Sequence, residues 1–266
     1  MSVPPLLFAL LMWFAGTAAV VWLDSRARNT FRLSFTLAGV AAFGALAAMA
    51  ILARLPGATA AYASFTAAIV LWGWHEMGFL MGFVAGPSKA PCPPGLRGWA
   101  RFRAATATVI HHEVALAVTA LTLFAISWGQ PNLAGPLAFL LLFVMRLSAK
   151  FNLFLGVPNL SDEVFPAHLA YLKSYFRKAP LNALFPFSLA FGLGVTLWAW
   201  LAAEQASSDG GAATGALLAA LAFLGTVEHL FLVLPMRDAA LWQWATKSTT
   251  TPETISSVSK QIVTIE

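Results

Sequence analysis

The sequence predicts an all-α integral membrane protein: a bundle of seven transmembrane helices, N-terminus outside and C-terminus in the cytoplasm. Three observations predict it. Of 266 residues, 59 % are apolar and only 10 % charged, against roughly 45–50 % and about 25 % in a soluble domain, and the mean hydropathy is +0.75. Cutting the chain at charged and Pro/Gly clusters leaves seven apolar segments, each long enough at 1.5 Å per residue for a hydrocarbon core of ~30 Å. The basic residues also fall on alternate connections, as they do when positively charged loops stay in the cytoplasm.

The first span, 4–23, lacks a basic n-region and is followed at once by Asp24, Arg26, Arg28 and Arg32, so it reads as a retained helix rather than a cleaved signal. Spans 34–53 and 58–85 follow, separated by Arg54 and Pro56. The connection to the fourth span, 104–128, carries Lys89, Arg97, Arg101 and Arg103. The fifth span, 134–155, leads into the longest connection, 156–182, with Lys173, Arg177 and Lys178. Spans 183–203 and 213–234 complete the membrane domain, 1–245. Within 161–178, Phe165, Leu169, Leu172 and Phe176 recur at near-helical spacing, which suggests an amphipathic helix in the headgroup layer or one packed on the bundle. From Thr246 to Glu266 the composition turns to Ser, Thr and Lys, and a disordered tail is expected.

A net charge of +5 and a pI near 9.7 would point a soluble chain toward nucleic acid. Here the basic residues lie between apolar spans and act as topology signals, so the expected partner is the lipid bilayer and not nucleic acid. Cys92 is the single cysteine, so no intramolecular disulfide can form. It sits in a Pro-rich turn without a nearby His in sequence, and reads as a free thiol without catalytic role.

Several ionisable residues fall inside spans, where each costs roughly 2.5–3.5 kcal/mol on insertion scales and needs a partner. They are His75 and Glu76 in the third span, His111, His112 and Glu113 in the fourth, Arg146 and Lys150 (with Asn152) in the fifth, and Glu228 and His229 in the seventh. Counted from the predicted span ends, Glu76, Glu113 and Arg146 lie ~14 Å and Glu228 ~9 Å from the cytoplasmic side. A common depth predicts one convergent site between these four helices. Gly78, Gly82 and Gly86, spaced by four, predict a close-packed face on the third helix beside His75.

Three chemistries fit such a site. Glu76, His112, Glu113, Glu228 and His229 are suitable ligands for iron, manganese or zinc, although the Glu-x-x-His pairs of di-iron bundles are absent. His75, His112 or His229 could instead serve as axial ligand to a tetrapyrrole walled by some of the 10 Trp and 21 Phe. The third arrangement has the glutamates paired with Arg146 and Lys150, fixing helix order without a ligand. Of the pairs Trp72/Trp74, Trp198/Trp200 and Trp242/Trp244, only the first lies beside a candidate site residue; the others read as interfacial belt residues.

The strings VLWGWHEMGFLMGFVAGP, KAPCPPGLRGW, TVIHHEVAL, MRLSAKFNLFLGVPNL, YLKSYFRKAPLNALFPFS and EHLFLVLPMRDAALWQWA occur in this order. Together they resemble the PuhE family of photosynthetic complex assembly proteins over residues 3–245. The resemblance implies a multi-pass protein of the bacterial cytoplasmic or intracytoplasmic photosynthetic membrane. It also implies a role in assembling the reaction-centre and light-harvesting apparatus, with partners among its subunits or the proteins that supply bacteriochlorophyll. No site residue is implied by it. The alternative is a membrane metalloenzyme that uses the His/Glu site on a lipid-soluble tetrapyrrole, carotenoid or quinone.

Overall fold

A computed structural model describes residues 4–160 and 166–234. The predicted tail 246–266, the Trp242/Trp244 pair and the first part of the amphipathic segment, 161–165, lie outside the described residues. Those described form seven long helices, α1 (Pro5–Asp24), α2 (Phe31–Leu52), α3 (Ala58–Leu80), α4 (Gly98–Ile126), α5 (Ala134–Leu155), α6 (Leu184–Glu204) and α7 (Asp209–Phe231), with 3-10 segments at Arg28–Thr30 and Ala167–Tyr175. Among the described residues there is no strand beyond one isolated parallel bridge between Val157 and Lys178. Six helices, all except α3, are long and apolar enough to cross a membrane, which makes the protein a multi-pass membrane protein.

α3 differs because it is interior. Thirteen of its 23 residues are buried, against three of 20 in α1 and four of 21 in α6. It packs against α1, α2, α5 and α7, and α7 in turn against α6, α3, α1 and α5. The outer helices turn Leu, Phe and Trp outward, Trp198 and Trp200 among them, as lipid contact requires. A helix surrounded by protein can carry polar groups that a lipid-facing one cannot, and this is where His75 and Glu76 sit.

Three predicted boundaries move, each for a local reason. The third helix stops at Leu80, not at 85. Gly82 adopts φ +80°, and the N–H groups of Phe83 and Val84 both return to Gly78 O at 2.9 and 2.8 Å, a glycine-terminated end in which the left-handed residue satisfies the last carbonyls. Gly78, Gly82 and Gly86 therefore do not form one helical face. Two helices also approach closely at α6 and α7, where a Cβ on Gly215 would meet Ala203 N at 2.7 Å and Ala199 O at 2.8 Å. α4 begins six residues before the predicted start, since Arg101 and Arg103 lie on helix that projects beyond the apolar span. α7 begins at Asp209, capped by Ser208 Oγ, which accepts from Gly211 N at 3.2 Å.

The segment Ala167–Tyr175 directs its apolar side at the bundle: Leu169 and Leu172 are buried with Phe79 and Ala85. Its His168 donates from Nε2 to Leu80 O at 2.7 Å, closing the end of α3, and burial holds its imidazole below the ordinary histidine range, in the neutral form. Arg101 ties this segment to two helices, donating to Phe154 O at 3.1 Å and Tyr175 O at 2.6 Å.

Beyond α3 the chain is pressed into the side of α4. His112 N donates to Ala85 O and Ser88 N to Ala107 O, both at 3.0 Å, so non-helical backbone in the membrane domain is satisfied by protein. Gly86 makes this possible: a Cβ there would lie 2.3 Å from Ala107 O and 2.5 Å from Thr108 C. Gly86→Ala is expected to destabilise the detergent-purified protein by about 1–3 kcal/mol, read as a lowered thermal midpoint. Gly44→Ala, with nothing within 4 Å of the new Cβ, should leave the midpoint unchanged or raise it.

Candidate functional site

His75 and Glu76 lie one turn before α3 ends. Neighbours on a helix diverge by 100°, so the two meet different partners. His75 Nε2 is 2.9 Å from Thr119 Oγ1 of α4. Glu76 faces a cavity of ≈ 580 Å³ bounded by α1, α3, α4, α5, α7 and the 3-10 segment at 167–175. Across it, Arg146 Nη2 donates to Glu76 Oε2 at 3.4 Å. One turn along α5, on the same face, Lys150 Nζ donates to Glu113 Oε1 at 2.5 Å. Glu228 lines the same cavity, and its charge acts on Arg146 together with those of Glu76 and Glu113.

The cavity wall thus gathers three carboxylates and two cations from α3, α4, α5 and α7, the four helices named from sequence. Arg146 keeps 44 % of its side chain open, so the guanidinium presents free donors to the interior. Glu76 Oε1 and Glu113 Oε2 are buried without a hydrogen-bond partner, as are both ring nitrogens of His112. His112 is fully enclosed, its ring centroid 4.7 Å from that of Phe79. Its Nε2 stands 3.6 Å from Glu76 Oε1, too far for a hydrogen bond.

The candidate ligands divide between two places. Glu76, His112, Glu113 and Glu228 are at or behind the cavity wall. His229 is turned toward α5: its Nδ1 faces Gly225 O at 2.8 Å and its Nε2 Ser148 Oγ at 3.0 Å. A carbonyl can only accept, so Nδ1 carries the hydrogen and Nε2 is left to accept from the hydroxyl. Among the described residues no three His, Cys, Asp or Glu side chains are placed to hold a metal ion. Glu76 and Glu113 bond to Arg146 and Lys150, and His229 to Ser148. As an axial ligand, His75 is engaged by Thr119 and His229 by Ser148 and Gly225, which leaves His112 as the candidate with unengaged nitrogens.

The model of the family described as protein of unknown function (DUF3623) matches residues 1–253. The chain belongs to this family. A curated relative from Rhodobacter capsulatus, named as an uncharacterized 30.4 kDa protein in the puhA 5′ region, is 38 % identical over 257 residues, covering 94 % of this chain and 93 % of the relative. No solved structure matches.

In this member of the family, sequence reasoning missed a second polar cluster. Asn152 Nδ2 donates to Ser188 Oγ at 2.9 Å, Ser188 Oγ in turn to Ser148 Oγ, whose own hydrogen goes to His229, at 2.8 Å, and Asn182 Nδ2 to Asn152 Oδ1 at 3.0 Å. With His229 these join α5, α6 and α7. The available signal was Asn152 with two serines in apolar helices, but hydroxyls are common in membrane helices and carry no pairing information. Trp72 lines the cavity, whereas Trp74 stacks on Phe35 with centroids 5.5 Å apart.

Breaking a buried ion pair leaves one charge uncompensated, at a cost of about 3–5 kcal/mol. Lys150→Met is therefore expected to lower stability by about 3 kcal/mol in denaturant or thermal unfolding. Adding Glu113→Gln should restore most of that loss, and a double mutant no more stable than the single one would contradict the pairing.

Proposed function

We propose that this protein is an assembly factor of the bacterial photosynthetic membrane that binds a lipid-soluble component of the reaction-centre and light-harvesting apparatus inside its bundle. The cavity carries this reading. Close helix packing would fill this space, and such concave, largely apolar sites are where small ligands bind. The genomic position in the relative's name, next to puhA, places that relative in a photosynthesis gene context, and the ordered motifs that resemble the PuhE family agree with it. Bacteriochlorophyll supply is the finer form of the same role.

In this reading all seven helices cross the bilayer, α3 included, because protein on its flanks tolerates its polar residues. The N-terminus is then outside and the connections rich in Lys and Arg cytoplasmic, following the charge asymmetry of the loops. The charged wall lies in the cytoplasmic half of the membrane, close to where α3 ends.

Removal of the gene from its phototrophic host tests the role. Membranes of the deletion strain are expected to lose most of their near-infrared pigment–protein absorption. The wild-type gene should restore it, and Arg146→Met, with the cavity wall altered, should restore it only in part. Full absorption in the deletion strain would refute the assembly role.

A further inference from the structure

The paired charges on the cavity wall are not equally open. Arg146 keeps 44 % of its side chain accessible and Lys150 23 %, against 11 % for Glu76 and 13 % for Glu113. Of these two pairs it is therefore the donors, and above all Arg146, that meet the cavity. Glu228 is exposed as well, but it is itself engaged. Among the described residues Arg146 gives one N–H, to Glu76 Oε2 at 3.4 Å, out of the five that a guanidinium carries. Such a wall is equipped to receive a hydrogen-bond acceptor.

Charge and shape narrow the choice. Glu76, Glu113 and Glu228 already act on Arg146 and outnumber the two cations of the wall. An anionic acceptor would add to that negative excess in a medium of low dielectric, where repulsion is strong, whereas an uncharged carbonyl adds no charge. Trp72 and Phe79 lie four residues before and three after Glu76, on one face of α3, and both line the cavity. Aromatic rings thus border the carboxylate that Arg146 holds, and they favour a flat conjugated ring over an aliphatic ester. The lining residues of α5 run from Leu141 to Phe154, ~20 Å of helix, which leaves apolar wall on either side of Arg146 for a hydrocarbon tail. The volume, ≈ 580 Å³, falls within the roughly 300–1,000 Å³ of small-molecule sites.

We infer that the cavity is a binding site for an uncharged, lipid-soluble ring ketone of the quinone class, a carbonyl oxygen accepting from the open guanidinium of Arg146 and the tail lying along the apolar wall. This rests on the preceding reading of the cavity as a ligand site and names the ligand's chemistry.

The test uses the full chain in phosphatidylcholine nanodiscs, with decylubiquinone, decylbenzene, oleate and dioctanoylglycerol as probes. Retained probe is extracted and quantified against empty nanodiscs. Saturable binding of the quinone is expected. Decylbenzene, which has a ring and the same tail but no acceptor, should bind about tenfold more weakly, and neither the anionic oleate nor the aliphatic ester should displace the quinone. Arg146→Met combined with Glu76→Leu removes the donor without leaving a carboxylate unpaired; it should weaken the quinone about tenfold and leave decylbenzene unaffected. Ala105→Phe, which fills the cavity from α4 without touching a charge, should abolish binding of both. Quinone retained no better than by empty nanodiscs, decylbenzene bound as tightly as quinone, displacement by oleate or the glycerolipid, or full quinone binding by the double variant would each overturn the inference. The two proposals separate cleanly. A deletion strain that lacks pigment complexes, with no quinone binding by the protein, would sink this inference and leave the assembly role. Saturable quinone binding with normal pigment complexes would do the reverse.

Discussion

A charge inside a bilayer is tolerated only where an opposite charge or a polar cavity receives it, and in this protein one face of α5 does the receiving. Arg146 and Lys150 stand one turn apart and bind carboxylates from α3 and α4. Much else follows from those two contacts. They hold α3 at the centre of the bundle with Glu76 directed away from lipid, and they keep α4 beside α5 although that side of the bundle is hollow. They also gather five charged groups on the wall of one cavity. Helices in lipid have no hydrophobic force pressing them together, so contacts of this kind have a larger share in fixing their order than they would in water.

The geometry of α4 is the second constraint. Chain leaving α3 has to turn within the membrane domain, and its backbone would be unsatisfied there without a partner. Gly82 ends the helix and Gly86 lets the following segment lie against α4, which supplies Ala107 O and the His112 N–H as partners. The same insertion fixes the rotation of α4, so that His112 points inward behind Glu76 while Glu113 reaches Lys150. Site and fold are coupled here: the turn that finishes α3 positions the residues that line the cavity.

The all-helical class was legible from composition, and α5, predicted at 134–155, matches Ala134–Leu155, because an apolar run bounded by Asn and Gly leaves little choice. The meeting of Glu76, Glu113, Arg146 and Glu228 was legible from depth alone, since opposite charges at one level in lipid have few alternatives to pairing. The fate of glycines was not. A four-residue glycine spacing reads equally as a helix-packing face or as a helix stop, and only φ at Gly82 decides between them. Histidine partners were likewise hidden: His75 and His229 are satisfied by Thr119 and Ser148, neutral groups whose positions in sequence carry no mark of the bond. The cavity itself leaves no trace in sequence, being the absence of side chains between helices.

The chain belongs to the DUF3623 family and is 38 % identical to a relative named for its position in the puhA 5′ region. The account stands on the convergence of Glu76, Glu113 and Glu228 with Arg146 and Lys150 around one chamber. A cryo-electron-microscopy map of the protein in lipid nanodiscs tests that most directly. The account predicts the Arg146 guanidinium and the Lys150 ammonium in salt-bridge contact with Glu76 and Glu113, on the wall of a cavity between α1, α3, α4, α5 and α7. Carboxylates splayed toward separate neighbours, with Arg146 extended to the headgroups and α1 collapsed into the space, would contradict it.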